Sequence, residues 1–154
     1  MPNDTLAGPA VVRTQLARVR AELTGLAAAL QARLAAQPGA AAAEALAAAR
    51  AAEQGLARVE AWLAACARGA AVEAVPAEPP RAEPPAGDPV ARLATLLAAS
   101  SEVLDAVGER LEAADPIAHF DAVQAVGLAT AVLEASFQRL LRAGLAAPRP
   151  LRWH

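Results

Sequence analysis

Leucine and valine recur at heptad spacing through long segments that are otherwise largely alanine. About three residues in ten are alanine, and the 154-residue chain has no lysine and no tyrosine. Bulky apolar residues spaced alternately three and four apart lie on one side of an α-helix. Alanine between them lets neighbouring helices approach closely. The sequence therefore predicts an all-α fold of long, closely packed helices, with few side chains left for chemistry.

The first half of the chain predicts an antiparallel helical hairpin. Helix 1 is expected to open at Gly8-Pro9, because proline suits the first helical position, and to end at Gln37-Pro38-Gly39. Its apolar stripe consists of Val12, Leu16, Val19, Leu23, Leu26 and Leu30. The short break then sends helix 2, roughly Ala40 to Arg68, back along helix 1. The apolar seam of helix 2 is Leu56, Val59, Leu63 and Cys66, with Trp62 beside it.

The second half predicts another hairpin. Asp88-Pro89 and Asp115-Pro116 each combine an N-cap aspartate with a proline suited to the first helical position, so helices 3 and 4 are expected to start there. The stripe of helix 3 is Val90, Leu93, Leu97, Ser100, Leu104, Val107 and Leu111. That of helix 4 is Val123, Val126, Thr130, Leu133, Phe137 and Leu140, broadened by Leu128, Val132 and Leu141. Arg142 and Gly144 are expected to end helix 4, with Leu145 covering the cap.

These elements predict a four-helix bundle built from two long antiparallel helical hairpins joined by a proline-rich linker. The expected division is an alanine-rich hairpin over 1–75, a proline-rich linker over 76–88, a second hairpin over 89–145, and a basic, tryptophan-containing tail over 146–154. Proline-rich segments favour extended conformations and act as semi-rigid spacers. The linker is therefore expected either to return along the bundle or to separate the two hairpins.

Composition argues against several classes of partner. The net charge is −2, and only two tryptophans and two phenylalanines are present, so we expect no nucleic-acid partner. The longest uncharged stretch, Ala122 to Leu133, is too short to span a bilayer, and the start shows no secretory signal. We expect a cytoplasmic protein with no transmembrane segment. The single cysteine, Cys66, is expected to be a small buried apolar residue.

His119 is the strongest candidate for chemistry because so few others exist. It is expected one turn into helix 4, near Glu112, Asp115 and Asp121 on the same hairpin. Carboxylates beside an imidazole can bind a metal, but such sites in bundles draw ligands from several helices. A structural histidine at the end of the bundle is the favoured interpretation. We therefore predict no catalytic residue, no cofactor and no metal site, and a non-enzymatic protein.

Two features suggest association with other proteins. Gly127, Ala131 and Ala135 form a small-residue stripe, for which packing inside the bundle is favoured over a dimer interface. The tail is basic and aromatic, and an arginine beside a tryptophan is a common anchor of interfaces. The alternative for Trp153 is that it folds over the end of its own bundle. The residues predicted to bind a partner are Arg149, Leu151, Arg152, Trp153 and Trp62.

Three functional hypotheses follow. The first is a helical interaction protein that binds protein partners of unknown identity and forms a homo-oligomer, as an adaptor, assembly chaperone or accessory subunit. The second is a protein that coats a hydrophobic inclusion or membrane face with amphipathic helices. The third is a bundle that binds a small ligand or metal near His119.

Overall fold

A computed structural model describes residues 4–66 and 87–148 of the chain. These residues form four α-helices and no strand, as the sequence predicts. The helices are α1 (Asp4–Ala36), α2 (Ala40–Cys66), α3 (Pro89–Ala114) and α4 (Phe120–Arg142).

The four helices form a bundle in which each helix has two close neighbours. Helices α1 and α2 form one hairpin and α3 and α4 the other; α2 also packs along α4, and α1 along α3. The Ser136 hydroxyl donates to the Ala48 carbonyl oxygen. One turn later on α4, Arg139 pairs with Glu44, which lies one turn earlier on α2. Since α4 residue numbers rise as α2 numbers fall, these two helices are antiparallel. The predicted four-helix bundle is confirmed.

The second hairpin is inverted relative to the first. Arg33, near the end of α1, pairs with Asp88 at the start of α3, so α3 begins at the end of the bundle where α2 also begins. Helix α2 runs 27 residues to Cys66, a length of about 40 Å, and therefore ends at the opposite end. The connection from α2 to α3 joins opposite ends of the bundle. Residues 67–86, which include most of the predicted linker, lie outside the described residues.

Several predicted helix ends are confirmed in detail. The Asp88 carboxylate accepts a hydrogen bond from the Val90 backbone N–H, and Pro89 follows at the first helical position. At the end of α4, Gly144 takes a left-handed conformation with φ 74°. The Leu145 N–H then donates to the Leu140 carbonyl oxygen at 2.8 Å, and Leu145 packs against the core. This is the glycine-dependent cap expected of a helix C-terminus.

Two predicted helix starts are wrong. Helix α1 begins at Asp4, so Pro9 lies inside it instead of opening it. Helix α4 begins at Phe120, because Asp115 caps a separate turn: its carboxylate accepts from the backbone N–H groups of Ile117 and Ala118. Asp115 is also the C-cap of α3, so this Asp-Pro pair ends α3 and opens the turn that precedes α4.

The core confirms the predicted stripes of α1 and α3 and corrects that of α4. All six stripe residues of α1 are buried, and so are those of α3 except the partly buried Leu111. On α4 four of the six stripe residues are buried as predicted, namely Val126, Leu133, Phe137 and Leu140. The buried face is rotated slightly toward α2, so that Val123 and Thr130 are only partly buried and Leu128 is exposed. The buried residues of α4 are Ala122, Ala125, Val126, Ala129, Leu133, Ser136, Phe137 and Leu140.

The rotation of α4 follows from the alanines of α2. Ala45, Ala48, Ala49 and Ala52 are all fully buried. Alanine has a small apolar surface, so a pattern of bulky residues does not reveal where an alanine-to-alanine contact lies. The hydrogen bond from Ser136 to α2 then holds α4 with its small side chains inward.

Candidate functional site

Many polar side chains of the bundle connect one helix to another. Arg139 donates to Glu44 between α4 and α2, and the Thr24 hydroxyl donates to Glu53 between α1 and α2 at 3.1 Å. The Ser101 hydroxyl donates to Glu134 at 3.1 Å, between α3 and α4. These contacts fix the register of neighbouring helices, and they occupy side chains that could otherwise act in chemistry.

His119 lies at the end of the bundle formed by α1 and the α3–α4 turn. It lies in the turn just before α4, not one turn into the helix as predicted, and it is buried. Its Nδ1–H donates to the Leu111 carbonyl oxygen at 3.0 Å. The same carbonyl also accepts from the Asp115 backbone N–H at the end of α3. A Cβ on Gly8 of α1 would lie 2.6 Å from the His119 ring. The ring thus fills the space between α1 and the α3–α4 turn.

We expect His119→Ala to lower the free energy of unfolding by about 1–3 kcal/mol, since it removes a hydrogen bond and leaves a cavity. Thermal unfolding monitored by circular dichroism measures the change. Ile117→Ala, two residues earlier at a fully exposed side chain, should change stability by less than about 0.5 kcal/mol. Equal melting temperatures for both variants would contradict the structural role of His119.

The carboxylates near His119 in sequence differ from it in burial. Glu112, Asp115 and Asp121 are all exposed, whereas His119 is buried. Over residues 4–66 and 87–148, no group of three or more histidine, cysteine, aspartate or glutamate side chains could hold a metal ion. Cys66 is exposed at the end of α2, so its predicted burial is wrong; the seam of α2 ends at Leu63.

Two glutamates on α2 have pKa values shifted in opposite directions. Glu60 is largely buried against α1, and its Oε2 lies 3.0 Å from Nη1 of Arg20 without hydrogen-bond alignment. Burial raises the pKa of Glu60, although the charges of Arg20 and Arg13 oppose the rise. The hydrogen bond from Arg139 lowers the pKa of Glu44, with help from the charges of Arg139 and Arg142.

These shifts predict opposite effects on the pH dependence of stability. A carboxyl whose pKa is raised by folding favours the folded state at low pH and loses that contribution as pH rises above its usual value of 4.5. We therefore expect Glu60→Gln to gain stability relative to the wild type between pH 4.5 and neutrality. Glu44→Gln should lose stability at neutral pH and converge with the wild type as pH falls below 4.5. Melting temperatures measured across this range test both signs, and parallel curves for either variant would contradict the corresponding shift.

The most unusual surface of the described bundle is the solvent-facing side of α4. Seven exposed residues follow one another at spacings of three and four along the whole helix, and we call them the outer face. They are Asp121, Gln124, Leu128, Ala131, Ala135, Gln138 and Arg142. The five residues of the outer face that lie between Asp121 and Arg142 are all uncharged.

The other helices expose charges in the middle of their length. Helix α1 exposes Arg18 and Glu22, α2 exposes Arg50 and Arg58, and α3 exposes several charged residues. On the outer face of α4, Leu128 is 46% exposed, and Phe120 next to its N-terminal end is 58% exposed. A row of charges is the usual covering of a soluble helix. The outer face of α4 is therefore the best candidate for an interaction surface.

Two residues of the small-residue stripe, Ala131 and Ala135, belong to the outer face, and Gly127 lies beside it. Gly127, Ala131 and Ala135 are all exposed, and a Cβ on Gly127 would meet no atom within 4 Å. The favoured interpretation, packing inside the bundle, is wrong, because α4 turns a different set of alanines toward α2. The alternative interpretation, a dimer interface, requires an exposed stripe and stays a prediction.

Trp62 is the one predicted partner-binding residue that the structure describes. It is 38% exposed and lies seven residues after Gly55, which faces Val132 of α4. It therefore occupies the edge of α2 that runs beside α4. The other predicted residues, Arg149, Leu151, Arg152 and Trp153, lie outside the described residues, so the predicted partner-binding set stays a prediction.

Sequence reasoning missed the outer face of α4 because it assigned Leu128 to the buried side of the helix and the small-residue stripe to packing inside the bundle. The available signal was the 3-4 spacing of Gln124, Leu128, Ala131, Ala135 and Gln138, a second heptad series on a helix that already had one. Helix α4 is also, by length and composition, the one helix in the described ranges that is long and apolar enough to cross a membrane. The second heptad series and the apolar composition of α4 both reflect the small number of charged residues on this helix.

No protein family, curated protein or solved structure matches this chain. The case for its function therefore depends on the surface and contacts described above.

Proposed function

We propose that this protein is a non-enzymatic helical interaction protein, acting as an adaptor, assembly chaperone or accessory subunit, and that it binds other polypeptides through the outer face of α4. The observation that carries the proposal is the uncharged, exposed heptad series on a helix whose opposite side is already buried in the core. A helix with two heptad series can pack on two sides at once.

The polar contacts of the bundle support a non-enzymatic role. Glu44, Glu53 and Glu134 each accept a hydrogen bond from a neighbouring helix. The His119 ring is buried and bonded to a backbone carbonyl. Catalysis by acid and base needs a side chain that can reach a substrate, and these side chains are instead committed to holding helices together.

The hypothesis of a surface-coating protein has one observation in its favour, the apolar composition of α4. Opening the bundle to coat a membrane would break the contact of Ser136 with Ala48 and that of Arg139 with Glu44. It would also leave exposed the alanines of α2, which have little apolar surface to insert into lipid. We therefore expect no co-sedimentation with anionic or neutral vesicles; co-sedimentation with increased helicity would favour coating.

The proposal is tested by affinity purification from the source cells with one substitution on the outer face. Leu128→Arg places a charge at the middle of this surface, and we expect it to reduce recovery of a stoichiometric partner at least tenfold. Val103→Arg is the matched control, because Val103 of α3 is 48% exposed and also lies in the middle of a helix. Equal recovery by both variants would contradict binding through α4.

A version ending at Leu145 separates the contribution of the tail. If the partner is lost only on truncation, the contact is made by the predicted tail residues and not by the outer face. If the truncated protein retains the partner and Leu128→Arg loses it, the outer face is sufficient.

A further inference from the structure

The outer face of α4 is nearly the same in both directions. Ala131 is the central residue of the seven, and the residues on either side of it pair by position. Leu128 corresponds to Ala135, Gln124 to Gln138, and Asp121 to Arg142. When the series is read in the reverse direction, each residue is therefore matched with one of complementary size, hydrogen-bonding capacity or charge.

Reversal has a physical meaning for two helices packed side by side. When a helix meets a second copy of itself in antiparallel orientation about a two-fold axis, each residue contacts its positional counterpart. Ala131 then meets Ala131 at the axis. Leu128 of each copy lies against Ala135 of the other, so that a large side chain meets a small one. Gln124 and Gln138 have amide groups that can donate and accept hydrogen bonds with each other.

The charges at the two ends select this orientation. Asp121 and Arg142 stand at opposite ends of the outer face. In the antiparallel pair each Asp121 lies level with Arg142 of the other copy, which gives two attractive pairs. In a parallel pair, Asp121 would meet Asp121 and Arg142 would meet Arg142, and like charges would repel at both ends.

We infer that the occupant of the outer face is a second copy of this chain, bound in antiparallel orientation through α4 with Ala131 at the two-fold axis. The inference rests on the proposed function, since it names the partner of the same surface. Gly127, beside Ala131 and with open space around it, allows the two helix backbones to come close.

The area available indicates a dimer of moderate affinity. The outer face spans 22 residues, or about 33 Å of helix, and a helix-to-helix contact of that length buries roughly 400–600 Å² per copy. The total of roughly 800–1,200 Å² lies below the range of about 1,200–2,000 Å² of stable specific interfaces and is typical of weak, transient ones. We therefore expect a monomer–dimer equilibrium with a dissociation constant in the micromolar range.

Sedimentation equilibrium of the full-length chain tests the inference with a pair of matched variants. Ala131→Arg places two like charges face to face at the axis, and we expect it to weaken the dimer at least 30-fold. Val103→Arg should leave the dissociation constant within about twofold of the wild type. A wild type that is still monomeric at a protein concentration 100 times the expected micromolar dissociation constant would overturn the inference. A dimer that Ala131→Arg does not weaken would overturn it as well.

A charge exchange tests orientation. Asp121→Arg and Arg142→Asp each replace two attractive pairs by two repulsive ones, and we expect each to weaken the dimer about fivefold to twentyfold. The double variant Asp121→Arg/Arg142→Asp should recover wild-type affinity. The double variant places a positive charge at the N-terminus of α4 and a negative charge at its C-terminus, and both interact unfavourably with the helix dipole. If the substitutions acted only on the stability of the helix, the double variant would therefore form the weakest dimer of the three. That outcome would overturn the antiparallel pairing.

Failure of this inference can be told apart from failure of the proposed function. A monomeric wild type whose capture of another protein is abolished by Leu128→Arg would refute the second copy as occupant and uphold the interaction role. A wild type that dimerises as expected but captures no other protein would uphold the pairing of α4 and restrict the proposed function to self-association.

Discussion

Leu104→Asp should abolish the cooperative unfolding transition of the protein or lower its free energy of unfolding by about 4 kcal/mol or more. Leu104 is completely buried on α3 and belongs to the core shared by all four helices. The substitution removes a large apolar side chain and places an unpaired carboxylate in its position, and each change alone costs several kcal/mol. Small domains have stabilities of roughly 5–15 kcal/mol, so most or all of the folded population is expected to be lost.

The neighbouring residue supplies the control. Val103 is 48% exposed, so Val103→Asp introduces the same side chain into the same turn of α3 without burying it. We expect a change of less than about 0.5 kcal/mol. Chemical denaturation of both variants, monitored by circular dichroism, measures the difference. Equal midpoints would mean that the buried side of α3 has been assigned incorrectly.

Gly55→Leu should have the second-largest effect, because it separates α2 from α4. A Cβ at Gly55 would lie 2.5 Å from Cγ1 and 2.9 Å from Cγ2 of Val132. Valine in a helix has essentially one rotamer, so the Val132 side chain cannot turn away and the helices must move apart. We expect a loss of about 3 kcal/mol, at the upper end of the usual cost of overpacking.

Two further variants identify the cause of that loss. Val132→Ala removes the methyl groups that the new side chain would meet, so Gly55→Leu/Val132→Ala should be more stable than Gly55→Leu. Gly127→Leu makes the same replacement on α4 where a Cβ has open space, and it should raise stability by up to about 1 kcal/mol. Thermal unfolding at concentrations too dilute for association measures all three. A double variant no more stable than Gly55→Leu would show that Val132 is not the obstacle.

The elements with bulky stripes and sharp caps were predictable from the sequence. The heptad pattern correctly places Leu16, Leu23, Leu93 and Leu97 in the core. These large side chains gain the most free energy from removal from water, so the stripe that carries them faces inward. Asp88 and Gly144 cap their helices as predicted, because the relevant contacts lie within a few residues along the chain. Local chemistry was therefore a sufficient guide at these positions.

The start of α4 and its rotation were not predictable in the same way. Asp115-Pro116 resembles Asp88-Pro89 in sequence, yet one opens a turn and the other a helix. The His119 ring bonds to Leu111 and packs at Gly8, contacts that no local pattern contains. The outer face could not be predicted for the same reason, because Leu128 could be assigned to it only once the buried side of α4 was known.

The sequence by itself determined that the chain forms long helices, where most of them end, and that they pair as hairpins in a bundle, because propensity, capping and heptad spacing act over a few residues. Only the tertiary structure decided where the small residues of α2 and α4 meet and that Leu128 stays at the surface. Alanine gains little on burial, so the position of that contact depends on the bulky residues buried around it, such as Leu133 and Phe137, on close packing at Gly55, and on the hydrogen bond of Ser136 with Ala48. Those contacts between distant parts of the chain are what leave the heptad series around Ala131 at the surface.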